Sequence, residues 1–420
     1  MKLISYLILL ITKIFLITCN YDVYKNHFSI FFNRAFNRKG LEQDFGDETT
    51  NHLVYNNIFS YINFANSENI NLFLTFNASD IKIVSTKYAK LIESKNDKEI
   101  KKDIFKFPKT KIDLNLNFLL ENSNNEESNS YLGLSYEDNE NNFINQLKKN
   151  KIIEEGIFSI LYNEQSITDD SKYDGQILFG LYPHDMTSRY NKNDLNWISI
   201  IKNKENKWKM KFDSITYHKE EESFNTKNVE FDLDLNLIIG PEEYKEKIYQ
   251  NYFKKYISEK LCKEEIFYNR RNNQFYITYS CIPNFDVENF PSLNLYNKEL
   301  NFTFVLKYSQ LLSVFKGRIY LKVIFNKNKE NIKWILGRSF MELYPMVFDI
   351  DNKKIGFYKI EISEDHPIIL FLFVMSVFVI VLLGIHRGFQ NQKKEKIETL
   401  INNDINNINN DNNNNKLKKE

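Results

Sequence analysis

Two short stretches set acidic and amide side chains between apolar runs. FDLDLNLIIGPEEY (residues 231–244) carries Asp232 and Asp234 ahead of Gly240 and Pro241. LTFNASDIKIV (residues 74–84) carries Asn77 and Asp80 between apolar runs. Two carboxylates held together can share one proton, so that one takes a proton from water while the other donates. Little else competes for a chemical role. The six His are scattered, and no Cys/His group has metal-ligand spacing, so neither a metal nor a cofactor is expected. Of the three Cys, Cys19 falls in an N-terminal leader. Cys262 and Cys281 read as one disulfide, which an oxidising compartment favours, or as two separate buried thiols.

Such residues need a frame to bring them together. A chain of 420 residues exceeds the usual size of one domain, so two lobes plus extra segments are expected. Apolar content of 42% and aromatic content of 15% suffice for a packed core, which excludes a disordered chain. A net charge of +1 offers no basic field, and no nucleic-acid partner is expected. From Leu53 the text is β-branched and aromatic between Asn and Ser, as in HLVYNNIFSYINF, NINLFLTF and IKIVS, which predicts strands. FINQLKKNKIIEEGIFSILYN (143–163) begins as an amphipathic helix and ends as a strand. WKMKFDSITY (208–217) alternates and reads as a strand joining the two lobes. A helix is expected from Pro241, because proline suits a helix start and Glu242 and Glu243 fill its first turn.

The two ends carry targeting signals. Residues 1–19, MKLISYLILLITKIFLITC, read as a signal peptide, and residues 20–51 as a leader or pro-like segment. Residues 367–385, PIILFLFVMSVFVIVLLGI, form an uncharged run long enough for one transmembrane helix. Arg387, Lys393, Lys394 and Lys396 follow, which places the tail 386–420 in the cytosol as an Asn/Lys-rich disordered segment. The expected protein is a single-pass type I membrane protein whose body faces the lumen or the cell exterior. Asn301-Phe302-Thr303 is then a glycosylation sequon on Asn301.

The segment WILGRSFMELYPMVFDIDNKKIGF (334–357) runs strand, Gly turn, short helix, then two strands, Met346 to Asp349 and Lys354 to Phe357. It resembles the closing segment of pepsin-like aspartic proteases. Four further stretches resemble that family in the same order. They are Leu132-Gly133-Leu134 with Gln146, Leu147, Phe158 and Ser159, then DGQILFG (174–180), FDLDLNLIIGPEEY and CIPNFDVENFPSLNL (281–295). The resemblance implies an all-β, two-lobed fold, with an N-terminal lobe over 52–205 and a C-terminal lobe over 206–362, followed by the membrane helix. It also implies a catalytic Asp in an Asp-Thr-Gly loop of each lobe.

Counting back from Gly240-Pro241, the resemblance puts the C-lobe catalytic position at Asp232, with Leu233 and Asp234 where Thr and Gly belong. Asp234 is read as facing away from it. In the N-lobe the same position is assigned to Asn77, followed by Ala78 and Ser79. As part of the cleft floor, Asn77 is expected to stay unglycosylated although Asn77-Ala78-Ser79 is formally a sequon. Between Val84 and Asp103 the text is too short for the family's substrate-covering flap and lacks its Tyr-Gly pair. These departures imply a catalytically impaired relative that binds a peptide or protein in the interlobe cleft. The rival is an acid endopeptidase with an atypical dyad including Asp232. A third reading is an adhesion or receptor ectodomain, which should lack two lobes bringing Asn77 and Asp232 face to face.

Overall fold

The computed structural model describes residues 27–34, 58–64, 68–84, 99–107, 109–110, 112–121, 129–162, 173–217, 223–269, 274–327 and 333–359. The signal peptide 1–19, the run 367–385, the tail 386–420 and the interval 85–98, where a flap would fall, lie outside the described residues. No helix among the described residues is long and apolar enough to cross a membrane. Within the described residues the chain is mostly strand, as its β-branched and aromatic runs separated by polar residues require.

Each lobe contains the same crossing of four strands. In the first, Glu68–Thr75 runs parallel to Tyr131–Gly133, with Leu74 opposite Leu132 and Thr75 opposite Gly133. Ile81–Val84 lies antiparallel to the other side of Tyr131–Gly133, with Ile81 opposite Leu132. It also runs parallel to Leu114–Glu121. In the second, Asn228–Phe231 runs parallel to Trp334–Leu336, with Phe231 opposite Leu336. Ile238–Ile239 lies antiparallel to the same strand, with Ile238 opposite Leu336, and parallel to Val323–Asn326. Leu132 therefore corresponds to Leu336, Leu74 to Phe231 and Ile81 to Ile238. The intervals from Leu74 to Ile81 and from Phe231 to Ile238 are equal, so the loops between them match residue for residue.

A glycine follows the paired leucine of the central strand, Leu132 or Leu336, in both lobes, for one steric reason. A Cβ on Gly133 would lie 2.4 Å from the Ala78 carbonyl carbon, and a Cβ on Gly337 would lie 2.2 Å from the Leu237 carbonyl oxygen. Only the lack of a side chain lets the loops approach so closely. Backbone bonds then lock them, from Gly133 N–H to the Asp80 carbonyl at 2.8 Å and from Gly337 N–H to the Leu237 carbonyl at 3.0 Å.

The lobes meet on a sheet ordered Leu195–Ser199, Lys354–Tyr358, Met346–Asp349, Ile157–Tyr162, Gly175–Phe179 and Phe28–Arg34. The closing segment thus takes the predicted form: strand Trp334–Leu336, helix Arg338–Met341, strands Met346–Asp349 and Lys354–Tyr358. Phe28–Arg34, inside the segment read as a leader, is built into this sheet with Phe28, Ile30 and Phe32 buried. Between sheet and crossings lies an aromatic cluster in which Phe348 stacks on Phe158 at 4.9 Å and meets Phe76 and Trp208 at 5.0 Å each. The Trp208 Nε1–H donates to the Leu134 carbonyl at 2.9 Å, which satisfies the one polar atom of a fully buried ring.

WKMKFDSITY does not form the interlobe strand expected of it. Lys209–Lys211 pairs with Asn228–Phe231, and Ser214–Tyr217 pairs with Leu293–Asn297, while Leu195–Ser199 takes the interlobe place. The break falls at Asp213, whose N–H donates to the Tyr296 carbonyl and whose carboxylate accepts from Lys298 N–H, turning the chain onto a second sheet. The helix behind the second crossing starts after Pro241 as Glu242–Ile248, widens to a π turn over Tyr249–Phe253 and ends as Lys254–Ser258. Cys262 and Cys281 face each other across an antiparallel pair and form a disulfide, with Cα atoms 4.0 Å apart.

Two outcomes follow from this packing. Gly337→Ala should lower the unfolding free energy by about 1–3 kcal/mol through overpacking, read from denaturant titration at unchanged m-value. Replacing both Cys262 and Cys281 by Ser should cost about 3 kcal/mol by releasing a short loop, and adding a reductant to the wild type should reproduce most of that loss.

Candidate functional site

The matched crossings decide which residues stand opposite one another. Because Leu74 corresponds to Phe231, the residue equivalent to Asp232 is Thr75, and the residue equivalent to Asp234 is Asn77. Hydrogen bonds inside each loop repeat the match. Asn77 N–H donates to Thr75 Oγ1 at 3.0 Å, and Asp234 N–H donates to Asp232 Oδ1 at 2.9 Å. By strand register the residue matching Asp232 is thus Thr75, whereas the sequence reading matched it with Asn77. Sequence counting missed this because Thr75 is not a carboxylate and the intervening loop has no Asp-Thr-Gly to anchor the register.

Asp234 does not face away from Asp232. The backbone bends at Leu233 and Asp234, with Asp234 N–H turned back onto the Asp232 carboxylate, and the Asp234 side chain reaches across the cleft between the lobes. Its Oδ2 accepts from Thr75 Oγ1 at 2.8 Å and from Asn77 Nδ2 at 2.7 Å. The position that a glycine would leave open in each loop therefore holds a polar side chain, and the two meet directly. Asn77 and Asp232, the two residues picked from the sequence, lie in facing loops, but Asn77 bonds to Asp234. The equal intervals Leu74 to Ile81 and Phe231 to Ile238, both between apolar residues, are the signal that would have found Thr75.

The electrostatics follow from this crowding. Burial pushes the Asp232 carboxyl up, the neighbouring Asp234 charge pushes it further, and the hydrogen bond from Asp234 N–H opposes both, leaving it at about 7. Buried Glu230 lifts it slightly and Lys207 lowers it. Burial opposes the charge on Glu230, but Lys333 at 2.5 Å and Lys207 at 3.0 Å hold it ionised. Asp232 thus keeps its proton through the acidic range, while Asp234 is the acceptor of two neutral donors.

Above these loops a pocket of about 220 Å³ opens, lined by Phe73, Tyr131 and Asn129 at its sides and Thr75, Asn77 and Asp234 at its floor. Burial, helped by the charge of Asp80 and a hydrogen bond to it, pushes the Tyr131 hydroxyl of the pocket wall up to about 12. A threonine hydroxyl cannot share a proton with Asp232 as a second carboxylate would. The arrangement can hydrogen-bond and enclose a ligand, and it lacks the carboxylate pair facing across two loops. Among the described residues no three His, Cys, Asp or Glu come together to hold a metal. Asn301 is exposed in the turn ahead of the strand Phe302–Leu306, with φ of 45°.

The raised Asp232 pKa has a definite sign in stability. A carboxyl whose native value lies above its ordinary 3.8 stabilises the fold fully when protonated, and that contribution disappears as pH rises through about 7. The denaturation midpoint should therefore fall between about pH 4 and pH 7, and Asp232→Asn should flatten that fall. An unchanged slope in the variant would place the titration elsewhere.

The family comparison agrees with the repeated crossings. A family model described as eukaryotic aspartyl protease matches residues 111–360, more than half of the chain. No curated protein is matched by the chain. The stretch with Thr75 and Asn77 lies ahead of the matched residues, whereas Asp232, the second crossing and the closing segment all lie within them. By that match, and by the two lobes built on one crossing, the chain belongs to the eukaryotic aspartyl protease family.

Proposed function

We propose that this protein is a catalytically impaired aspartyl protease relative that binds a peptide or protein segment in the cleft between its lobes. The observation that carries this reading is Thr75 at the position equivalent to Asp232. Losing one acid/base member of a proton-sharing pair costs about 10²–10⁴ in rate. The replacement also removes the site where a water would be held between two carboxylates, since Asp234 Oδ2 is already bonded to Thr75 and Asn77. The apolar run 367–385 supports anchoring in a membrane, the leader supports entry into the secretory pathway, and exposed Asn301 supports glycosylation there.

One observation favours a second reading. Asp232, with its pKa near 7, and Asp234 form an adjacent carboxyl pair within one loop, of which one can be protonated while the other is ionised. That is a dyad of an unusual kind, and it would give peptide hydrolysis at acid pH.

Hydrolysis of a mixed peptide library by the purified full-length chain separates the two. The expected result is no turnover above background across the acidic range, with wild type, Asp232→Asn and Asp234→Asn indistinguishable, while unmodified peptides still bind. Cleavage abolished by either substitution would overturn the binding reading in favour of the one-loop dyad.

A further inference from the structure

A second group of charges lies beneath the helix Arg338–Met341, and neither the cleft chemistry nor the family match uses it. Arg338 opens that helix directly after Gly337 and is 1% exposed. Neither of its terminal nitrogens has a hydrogen-bond partner among the described residues. The buried Tyr162 hydroxyl, at the end of Ile157–Tyr162, and the Ser339 hydroxyl likewise have none. The Arg34 guanidinium lies over the Tyr162 ring at 5.7 Å, and its Nη2 is 2.9 Å from Glu342 Oε1. Glu342 sits one helical turn from Arg338, its N–H donating to the Arg338 carbonyl. Lys322, partly buried between two C-lobe strands, faces the same Glu342 and Arg34. Arg34, Lys322 and Arg338 thus all feel the charge of Glu342, and Arg338 also that of Asp234, which is engaged by Thr75 and Asn77.

A buried lysine can shed its charge, but a guanidinium cannot, so Arg338 stays cationic where solvation is poorest. Glu342 and Asp234 compensate that charge in part without accepting from its terminal nitrogens, and three cations against two carboxylates leave a positive excess that a neutral water would not meet. Donors without partners, an excess of positive charge and one neutral hydroxyl donor all suit the same kind of ligand. We propose that Arg338 and Tyr162 bind a small inorganic anion, a halide or compact oxyanion, at the junction of the two lobes. Arg34 and Glu342, 31% and 28% exposed, form the side from which it enters. Because the site takes parts from both lobes, the anion would tie them together just behind Asp234.

Thermal unfolding of the full-length protein in sodium chloride, phosphate or gluconate at equal ionic strength tests this. The expected result is a saturable rise in Tm with chloride or phosphate over gluconate, since a ligand that binds only the folded state stabilises it by mass action. Arg338→Met should abolish the rise, because the donors and the charge that hold the anion are gone. Should that variant fail to fold, Tyr162→Phe removes a single donor and should raise the half-maximal anion concentration about threefold or more. A wild-type Tm that does not distinguish the three anions would overturn the proposal. So would a full wild-type response in whichever of these variants folds.

Discussion

The close passage of one backbone over another at Gly133 and Gly337 is the constraint on which the rest of the molecule depends. At both places a methyl group would overlap a carbonyl of the facing loop, so the loop can be held only against a bare backbone. Once held, each loop carries one strand in parallel and the next in antiparallel pairing with the same central strand. That double pairing sets the register without reference to the loop's side chains. It explains how the loops tolerate Phe76 and Leu233 in places where the family resemblance leads one to expect other residues, and still deliver Thr75 and Asp232 to matching positions.

The site shows what happens when the frame is kept and the chemistry is not. In both loops a polar side chain occupies the third position, and Asn77 and Asp234 close on each other across the lobes. Thr75 adds its hydroxyl to the same Asp234 oxygen. The result is a neutral–anionic hydrogen-bond cluster in place of a carboxylate pair, with Asp232 left beside it in protonated form through the acidic range. Hydrogen bonds to a charged acceptor are stronger than neutral ones and hold the loops together. The aromatic cluster of Phe76, Phe158, Trp208 and Phe348 joins the first loop to the interlobe sheet from below, and Phe231 of the second crossing meets Phe357 of that sheet at 6.3 Å. Arg338, next to the second glycine, ties the electrostatics of this floor to the lobe junction behind it.

Much of the frame could be read from the chain alone, because it rests on local rules. Pro241 followed by two glutamates marks a helix start. Asp351 and Asn352 between apolar runs mark the turn between Met346–Asp349 and Lys354–Tyr358. The order of such pieces suffices for the all-β fold and the family, and the two body cysteines suffice to suggest the disulfide. WKMKFDSITY shows the limit of the same reasoning. Its alternation is real, but the turn at Asp213 is made by Tyr296 and Lys298, far along the chain.

The site divides along the same line. Sequence by itself determined that Asp232 precedes Gly240-Pro241 at the family's spacing, and that no carboxylate stands in the first loop where an Asp-Thr-Gly would be. Only the tertiary structure decided that Thr75 rather than Asn77 is the counterpart of Asp232, and that Asp234 turns inward to meet them. The reason is physical. Register between loops is set by strand pairing across long separations, Leu74 with Leu132 and Phe231 with Leu336, and nothing local to either loop records it.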